Sequence, residues 1–277
     1  MVFLNKRTNS SIFLIFFISA CQIDNSVNLD DGPQKQVIDE NIRFEKYLSN
    51  QWEQNLKDSP IFASLLGNKN FNQDITSNSI EEFVKNKAKL NKDLINLNSF
   101  NYEKLNSDNK LNYKLKRIGL NNSIEAAQYP SYYMSLNQRG GVQSYYETGD
   151  RLVYESKQDY EDWLIRLSKY ADNIANTKTN VEEGLEKGYT QPQLVTRQVI
   201  LQIDNILNSE IVDNPYLKIF LTADNSFFNE GEKEDLINRA TLLIKSQIIP
   251  AYVDLNNFLK NTYLPNSRSS IGLNGVP

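Results

Sequence analysis

Between Tyr160 and Ile174 the apolar side chains recur every three or four residues: Tyr160, Trp163, Leu164, Leu167, Tyr170, Ala171 and Ile174. That spacing puts them on one face of an α-helix, whereas a strand would need alternation at every second residue. The same rhythm runs through the chain from about residue 38. Ile42, Leu48, Trp52 and Leu56 mark a first stripe that stops before Pro60. Ser79-Ile80-Glu81-Glu82 has the capping-box form and leads into Phe83, Leu90 and Leu94. Ser107-Asp108 opens another helix, with Leu111, Leu115, Ile118 and Ile124 expected to face inward. Val195, Val199, Ile203 and Ile206 follow the start signals Thr190 and Pro192. Leu236, Ala240, Leu243, Ile244, Ala251, Leu255 and Phe258 line a helical pattern over 230–262, which Pro250 is expected to kink or split. The predicted fold class is all-α, a single multi-helix domain over 38–277, because about 240 residues of continuous helical rhythm can enclose one core.

One region departs from this rhythm. Gln128–Arg151, "QYPSYYMSLNQRGGVQSYYETGDR", is rich in tyrosine and carries Gly140-Gly141. It is long for a structureless connection between helices, and long ordered connections often carry function. It reads equally as an extended segment that lays its tyrosines over the helices.

The start of the chain gives an address. Lys6 and Arg7 precede the apolar run Ile12–Ile18, which is shorter than the roughly 18 residues needed to span a bilayer. Ile18-Ser19-Ala20-Cys21 resembles a bacterial lipobox, in which the cysteine is lipidated and the chain is cut before it. Cys21 is the single cysteine. The reading is a lipoprotein signal peptide over 1–20, a polar tether over 21–37, and a membrane anchor at Cys21. Several acyl chains hold a protein on a membrane almost irreversibly, since each buried CH₂ contributes about 0.8 kcal/mol. Gln22, where an aspartate would favour retention in the inner membrane, points to the outer membrane, facing the periplasm.

Composition narrows the chemistry. There is no histidine, which excludes Ser-His-Asp and Cys-His nucleophile activation and the usual catalytic zinc sets. With 34 acidic against 30 basic residues the chain is a poor nucleic-acid ligand. The lysines at 85, 87, 89 and 92 are interleaved with Glu81, Glu82 and Asp93 and read as a solvated helix face. Asp224–Asp235, "DNSFFNEGEKED", lacks the ligand and turn spacing of a calcium loop and reads as an acidic helix start. A pair of carboxylates could still support glycoside hydrolysis, but nothing singles out two of them.

"SPIFASLLG" (Ser59–Gly67), "YPSYYMSLNQRGGVQSYYETGDR", "DYEDWLIRL" (Asp159–Leu167), "EEGLEKGYTQPQLV" (Glu182–Val195), "IIPAYVDLNNFLKNTYLPNSR" (Ile248–Arg268) and the closing "GLNGVP" occur in an order that resembles the N-terminal half of the bacterial domain-of-unknown-function 885 family. The resemblance implies the helical half of a metallocarboxypeptidase-like fold. The family's presumed zinc site lies on a His-Glu-bearing helix in a C-terminal half, so zinc is expected only there and no cofactor is expected in this chain. On this resemblance the chain corresponds to a truncated or split member, not catalytic alone. Its expected partners are the membrane through Cys21, and a peptide substrate or the missing C-terminal half. The alternative is a non-enzymatic helical lipoprotein that binds a peptide or a partner protein.

Within that frame Arg268 and Tyr263 are candidate substrate-binding residues, together with Gln138, Gly140 and Gly141. A guanidinium offers a planar fork of donors to a peptide carboxylate, and a tyrosine adds one hydrogen bond and an apolar face. Arg268 is expected to be exposed beside an apolar groove near the Asn137–Gly141 loop. The competing reading is that it caps helix carbonyls or pairs with a surface acid. The anchor is directly testable: Cys21→Ala should accumulate as an uncleaved or misprocessed precursor without lipid label. Detergent-free extraction that releases the wild-type protein as readily as this variant would refute it.

Overall fold

Residues 39–272 and 275–277 are described by the structure, a computed structural model. The proposed signal segment, the tether and Cys21 lie outside the described residues. The described chain is a single all-helical domain. Its helices are α1 (Glu40–Asp58), α2 (Pro60–Leu65), α3 (Ile80–Asn98), α4 (Ser107–Ala126), α5 (Tyr146–Arg151), α6 (Lys157–Ser168), α7 (Tyr170–Glu186), α8 (Gln193–Asn208), α9 (Pro215–Leu221), α10 (Glu232–Leu243), α11 (Ile249–Phe258) and α12 (Leu264–Asn266). Among the described residues no helix is long and apolar enough to cross a membrane.

Short polar side chains start several helices. Asp39 accepts from the Asn41 amide at 2.7 Å, and Asn106, one residue before the expected start, accepts from Asn109 at 2.8 Å. These contacts satisfy amides that have no partner within the helix. At α3 half of the expected capping box forms. The Ser79 hydroxyl accepts from the Glu82 amide at 3.3 Å, but the Glu82 carboxylate turns to Lys85, and the Ser79 amide donates to Ser77 Oγ.

Of the kink or split expected at Pro250, the split does not occur. From Glu232 to Asn266 the chain stays helical, through π-helical turns at Ile244–Ile248 and Leu259–Tyr263. Each turn directly precedes a proline-bearing start, Pro250 in α11 and Pro265 in α12. The residue before each proline bonds five positions back: Ile249 N–H to the Ile244 carbonyl, and Leu264 N–H to the Leu259 carbonyl. A proline lacks the N–H and crowds the carbonyl four residues earlier. Widening the turn absorbs that conflict without ending the helix.

This column runs through the main core. Ile244, Ile248, Tyr252, Leu255, Leu259 and Tyr263 are all fully buried. They pack with Tyr160, Trp163, Leu167, Tyr170, Ile174 and Val181 of α6 and α7, and with Val199, Ile203 and Ile206 of α8. The stripe from Tyr160 to Ile174 therefore faces the core as its spacing requires, although the helix is interrupted at Lys169.

A second cluster joins α1, α3 and α4 through Phe44, Leu97, Phe100, Leu105, Tyr113 and Leu120. Here the sequence expectation fails. Leu111, Leu115 and Ile118 are 57%, 58% and 57% exposed, and Ile42 and Trp52 of α1 are also exposed. The face of α4 that turns inward carries Asn109, Tyr113 and Leu120. Asn109 donates to Asn41 Oδ1 at 3.2 Å and Glu45 Oε1 at 2.9 Å. A polar anchor sets the rotation of the helix, and a count of apolar residues cannot register it.

The tyrosine-rich connection is neither extended nor structureless. It folds into 3-10 turns at Ser131–Met134 and Val142–Ser144, followed by α5. It seats Tyr133, Leu136 and Val142 against the helices, and Tyr252 donates from its hydroxyl to the Val142 carbonyl at 2.5 Å. Gly184 of α7 permits this approach, since a Cβ there would lie 2.5 Å from the Tyr133 carbonyl oxygen.

Candidate functional site

Three of the segments singled out in the sequence converge on one face: the tyrosine-rich connection, the 187–192 loop and the C-terminal segment. Gln191 Nε2 donates to the Met134 carbonyl at 2.7 Å, tying the first two together. The Arg268 carbonyl accepts from the Gln193 amide at 2.9 Å within a parallel bridge to Pro192, which fixes the third. Between them lies an open groove of about 310 Å³ lined by Tyr129, Pro130, Ser131, Met134, Tyr189, Val276 and Pro277. Its walls are largely apolar, and its size falls within the usual range of ligand pockets, about 300–1,000 Å³. Beside it, Lys187 stands 5.1 Å above the Tyr133 ring and pairs with Glu183 at 3.1 Å. The hydrogen bond to Glu183 holds the Lys187 ammonium above its ordinary pKa. The cleft thus offers mostly apolar contact, with a Lys187–Glu183 ion pair nearby.

The residues singled out from sequence take different places. Tyr263 is fully buried, carried inward by the π turn that extends the helix past its expected end. Its hydroxyl accepts from the Gln191 amide at 2.8 Å, and burial raises its pKa. Arg268 is half-buried rather than exposed. Its Nε donates to the Thr190 carbonyl at 2.7 Å, and its Nη1 donates to the carbonyls of Ser270 at 3.0 Å and of Gly272. The guanidinium therefore holds the 190 loop and the exit segment together through loop carbonyls, neither capping a helix nor pairing with an acid.

Gln138, Gly140 and Gly141 are not beside Arg268. The Gln138 carbonyl accepts from Gln202 on α8 at 3.0 Å, whereas Arg268 docks at the α8 start beside Gln193. At about 1.5 Å per residue the two anchoring points on α8 are roughly 13 Å apart. Gln138 is exposed. Gly141 adopts φ 155°, and a Cβ there would meet Gln143 Oε1 at 2.9 Å, so glycine is needed for the turn itself.

Tyr129, Met134 and Tyr189, which line the groove, were not singled out. The available signal was their position in two of the resemblance segments, next to Pro130 and Gly188.

The chemistry of the donor set does not fit zinc. The chain has no histidine, and among the described residues no three Cys, Asp or Glu side chains come together as ligands. Carboxylates of the acidic run at Asp224–Asp235 cap backbone and pair with lysine. Asp224 accepts from the Ser226 amide at 2.8 Å, and Glu232 pairs with Lys157 at 2.7 Å.

A family described as "Bacterial protein of unknown function (DUF885)" matches residues 60–275. No curated protein sequence matches. Among solved structures, the crystal structure of "the putative lipoprotein from Colwellia psychrerythraea" is similar, with a TM-score of 0.73 at 15% identity. The match covers 87% of this chain and 44% of that one, so the chain corresponds to less than half of that protein's length.

The carbonyl contacts of Arg268 give a stability prediction. Arg268→Ala should lower the melting temperature by about 3–6 °C, as expected for loss of about 1–2 kcal/mol of charge-assisted hydrogen bonding in a domain of this size. Arg268→Lys should lower it less. An unchanged melting temperature in Arg268→Ala, measured by circular dichroism, would free the side chain for ligand recognition.

Proposed function

The chain belongs to the DUF885 family of bacterial proteins, and on that premise we propose that it is a lipid-anchored envelope protein. Cys21 fixes it to the periplasmic face of the outer membrane. Its helical domain is the substrate-side half of a metallopeptidase-like protein and does not hydrolyse peptides by itself. The observation that carries this reading is the family match across 60–275 in a chain with no histidine. The family fold is present, while the residue type most used to hold catalytic zinc is missing. The neighbour of more than twice the matched length supports a catalytic half that acts with this one, in the same polypeptide or another.

The groove lined by Tyr129, Met134 and Tyr189 supports the second reading, a helical lipoprotein that binds a peptide without any catalytic partner. Both readings require peptide binding by this domain, and neither allows cleavage by it alone.

Incubating the full chain in detergent with a fluorescein-labelled octapeptide rich in alanine and leucine, with and without zinc, tests the shared core. Anisotropy should report saturable binding that weakens several-fold in Tyr189→Ala, and mass spectrometry should recover the peptide intact. Zinc-dependent cleavage would overturn the non-catalytic reading. Absence of binding would remove the peptide as its ligand.

A further inference from the structure

Helix α4 carries an apolar stripe on the side opposite its core face. Leu111, Leu115 and Ile118 follow one another at four- and three-residue spacing, so they share the outward face. Tyr113 and Leu120 point the other way, into the second core cluster. A single exposed leucine is ordinary, whereas three apolar residues in one row leave a surface that a partner can cover.

Cations run along this stripe. Lys110, Lys114 and Arg117 each stand immediately before one of the three apolar residues, which puts them along one flank. Lys110 is half-buried and pairs with Glu103 at 3.4 Å. Lys114 and Arg117 are exposed and make no ion pair among the described residues, although Lys114 stands 5.7 Å above the Tyr102 ring. The acids of α4, Asp108 and Glu125, sit in its first and last turns. Helix α3 packs against α4 and adds exposed Val84 and Ile95 together with Lys87 and Lys92. Over residues 80–126 there are nine Lys and Arg against six Asp and Glu, a local charge of +3 in a chain of net −4. The rest of the chain therefore carries −7.

The start of α4 is stitched to the start of α1, where the segment from Cys21 enters the domain. Asn41 Oδ1 accepts from the Asn106 amide at 2.8 Å and from Asn109 Nδ2 at 3.2 Å. Asn41 Nδ2 donates to the Lys104 carbonyl at 3.4 Å. On the lipoprotein reading, the anchored end of the domain is the end that carries this face.

We propose that the outer face of α4 is a second membrane contact, which docks on anionic phospholipid headgroups. Leu111, Leu115 and Ile118 enter the boundary between headgroups and acyl chains, while Lys114 and Arg117 extend their stems to reach phosphates. Area argues against a second copy, since the stripe offers a few hundred Å² against roughly 800 Å² per partner in a stable interface. A lipid surface needs no matching shape and supplies the negative charge that these cations lack. It also repels the acidic remainder, which turns the domain with α4 towards the bilayer. The placement beside α1 rests on the lipoprotein reading; the exposure and the charge do not.

The test places a nitrobenzoxadiazole dye on Leu115→Cys in the full chain as processed by the cell, reconstituted into vesicles. These are phosphatidylcholine alone, or phosphatidylcholine and phosphatidylglycerol in equal parts. In the mixed vesicles emission should shift to the blue and rise roughly twofold or more, and high salt should reverse the change. The same dye on Leu242→Cys, exposed on α10, should not respond. Lys114→Gln should weaken docking about fivefold, the value of one cation near an anionic surface, with the melting temperature unchanged. Adding Arg117→Gln should weaken it further. The wild-type chain treated in parallel takes up dye only if Cys21 is free, so failure of the anchor is read separately and its emission is subtracted. An equal response in phosphatidylcholine alone that rises with the density of chains would assign the face to a second copy. That result, a silent dye in the mixed vesicles, or full docking in the double variant would each overturn the proposal.

Discussion

The helical column from Glu232 to Asn266 is the constraint on which the remaining packing depends. Two prolines would ordinarily break it. Each is preceded by a π turn that moves the hydrogen-bond register by one residue and keeps the rod continuous. Because the rod continues, six of its side chains from Ile244 to Tyr263 reach the centre of the core. From there Tyr252 bonds the Val142 carbonyl and the Tyr216 hydroxyl, and Tyr263 bonds the Gln191 amide. These contacts fix the tyrosine-rich connection and the 187–192 loop, which build the groove. A rod broken at Pro250 would deliver neither.

Much of this was legible in the sequence where burial and periodicity coincide. The Tyr160–Ile174 and Val199–Ile206 stripes face the core as spaced. What escaped has identifiable causes. Proline rules describe an ordinary α-helix and so allowed a split at Pro250 where a wider turn gives continuity. The rotation of α4 follows Asn109, whose side-chain amide is held by Asn41 and Glu45, so Leu111, Leu115 and Ile118 point outward. At the candidate site, residue type suggested a recognition arginine at Arg268, but chemistry alone does not tell whether a guanidinium is free or spent on carbonyls. Arg166 carried a usable signal, a charge three residues from Trp163 and four from Tyr170 on an apolar helix face. Such a charge ordinarily reads as turned to solvent.

The two arginines use their donors differently. Arg268 uses its donors to hold backbone, which makes the exit segment part of the domain's architecture. Arg166 keeps part of its hydrogen-bonding capacity unspent inside the core. The groove adds a different resource, apolar surface at the meeting point of three chain segments.

Since the groove and the core both rest on the unbroken rod, the most direct measurement is native-state amide exchange across residues 232–266. The amides of Ile249 and Leu264, bonded five residues back, should exchange as slowly as those of Tyr252 and Leu255, through global unfolding. Fast exchange confined to the residues around Pro250 or Pro265 would mean that the rod opens there, and would contradict the architecture on which the groove depends.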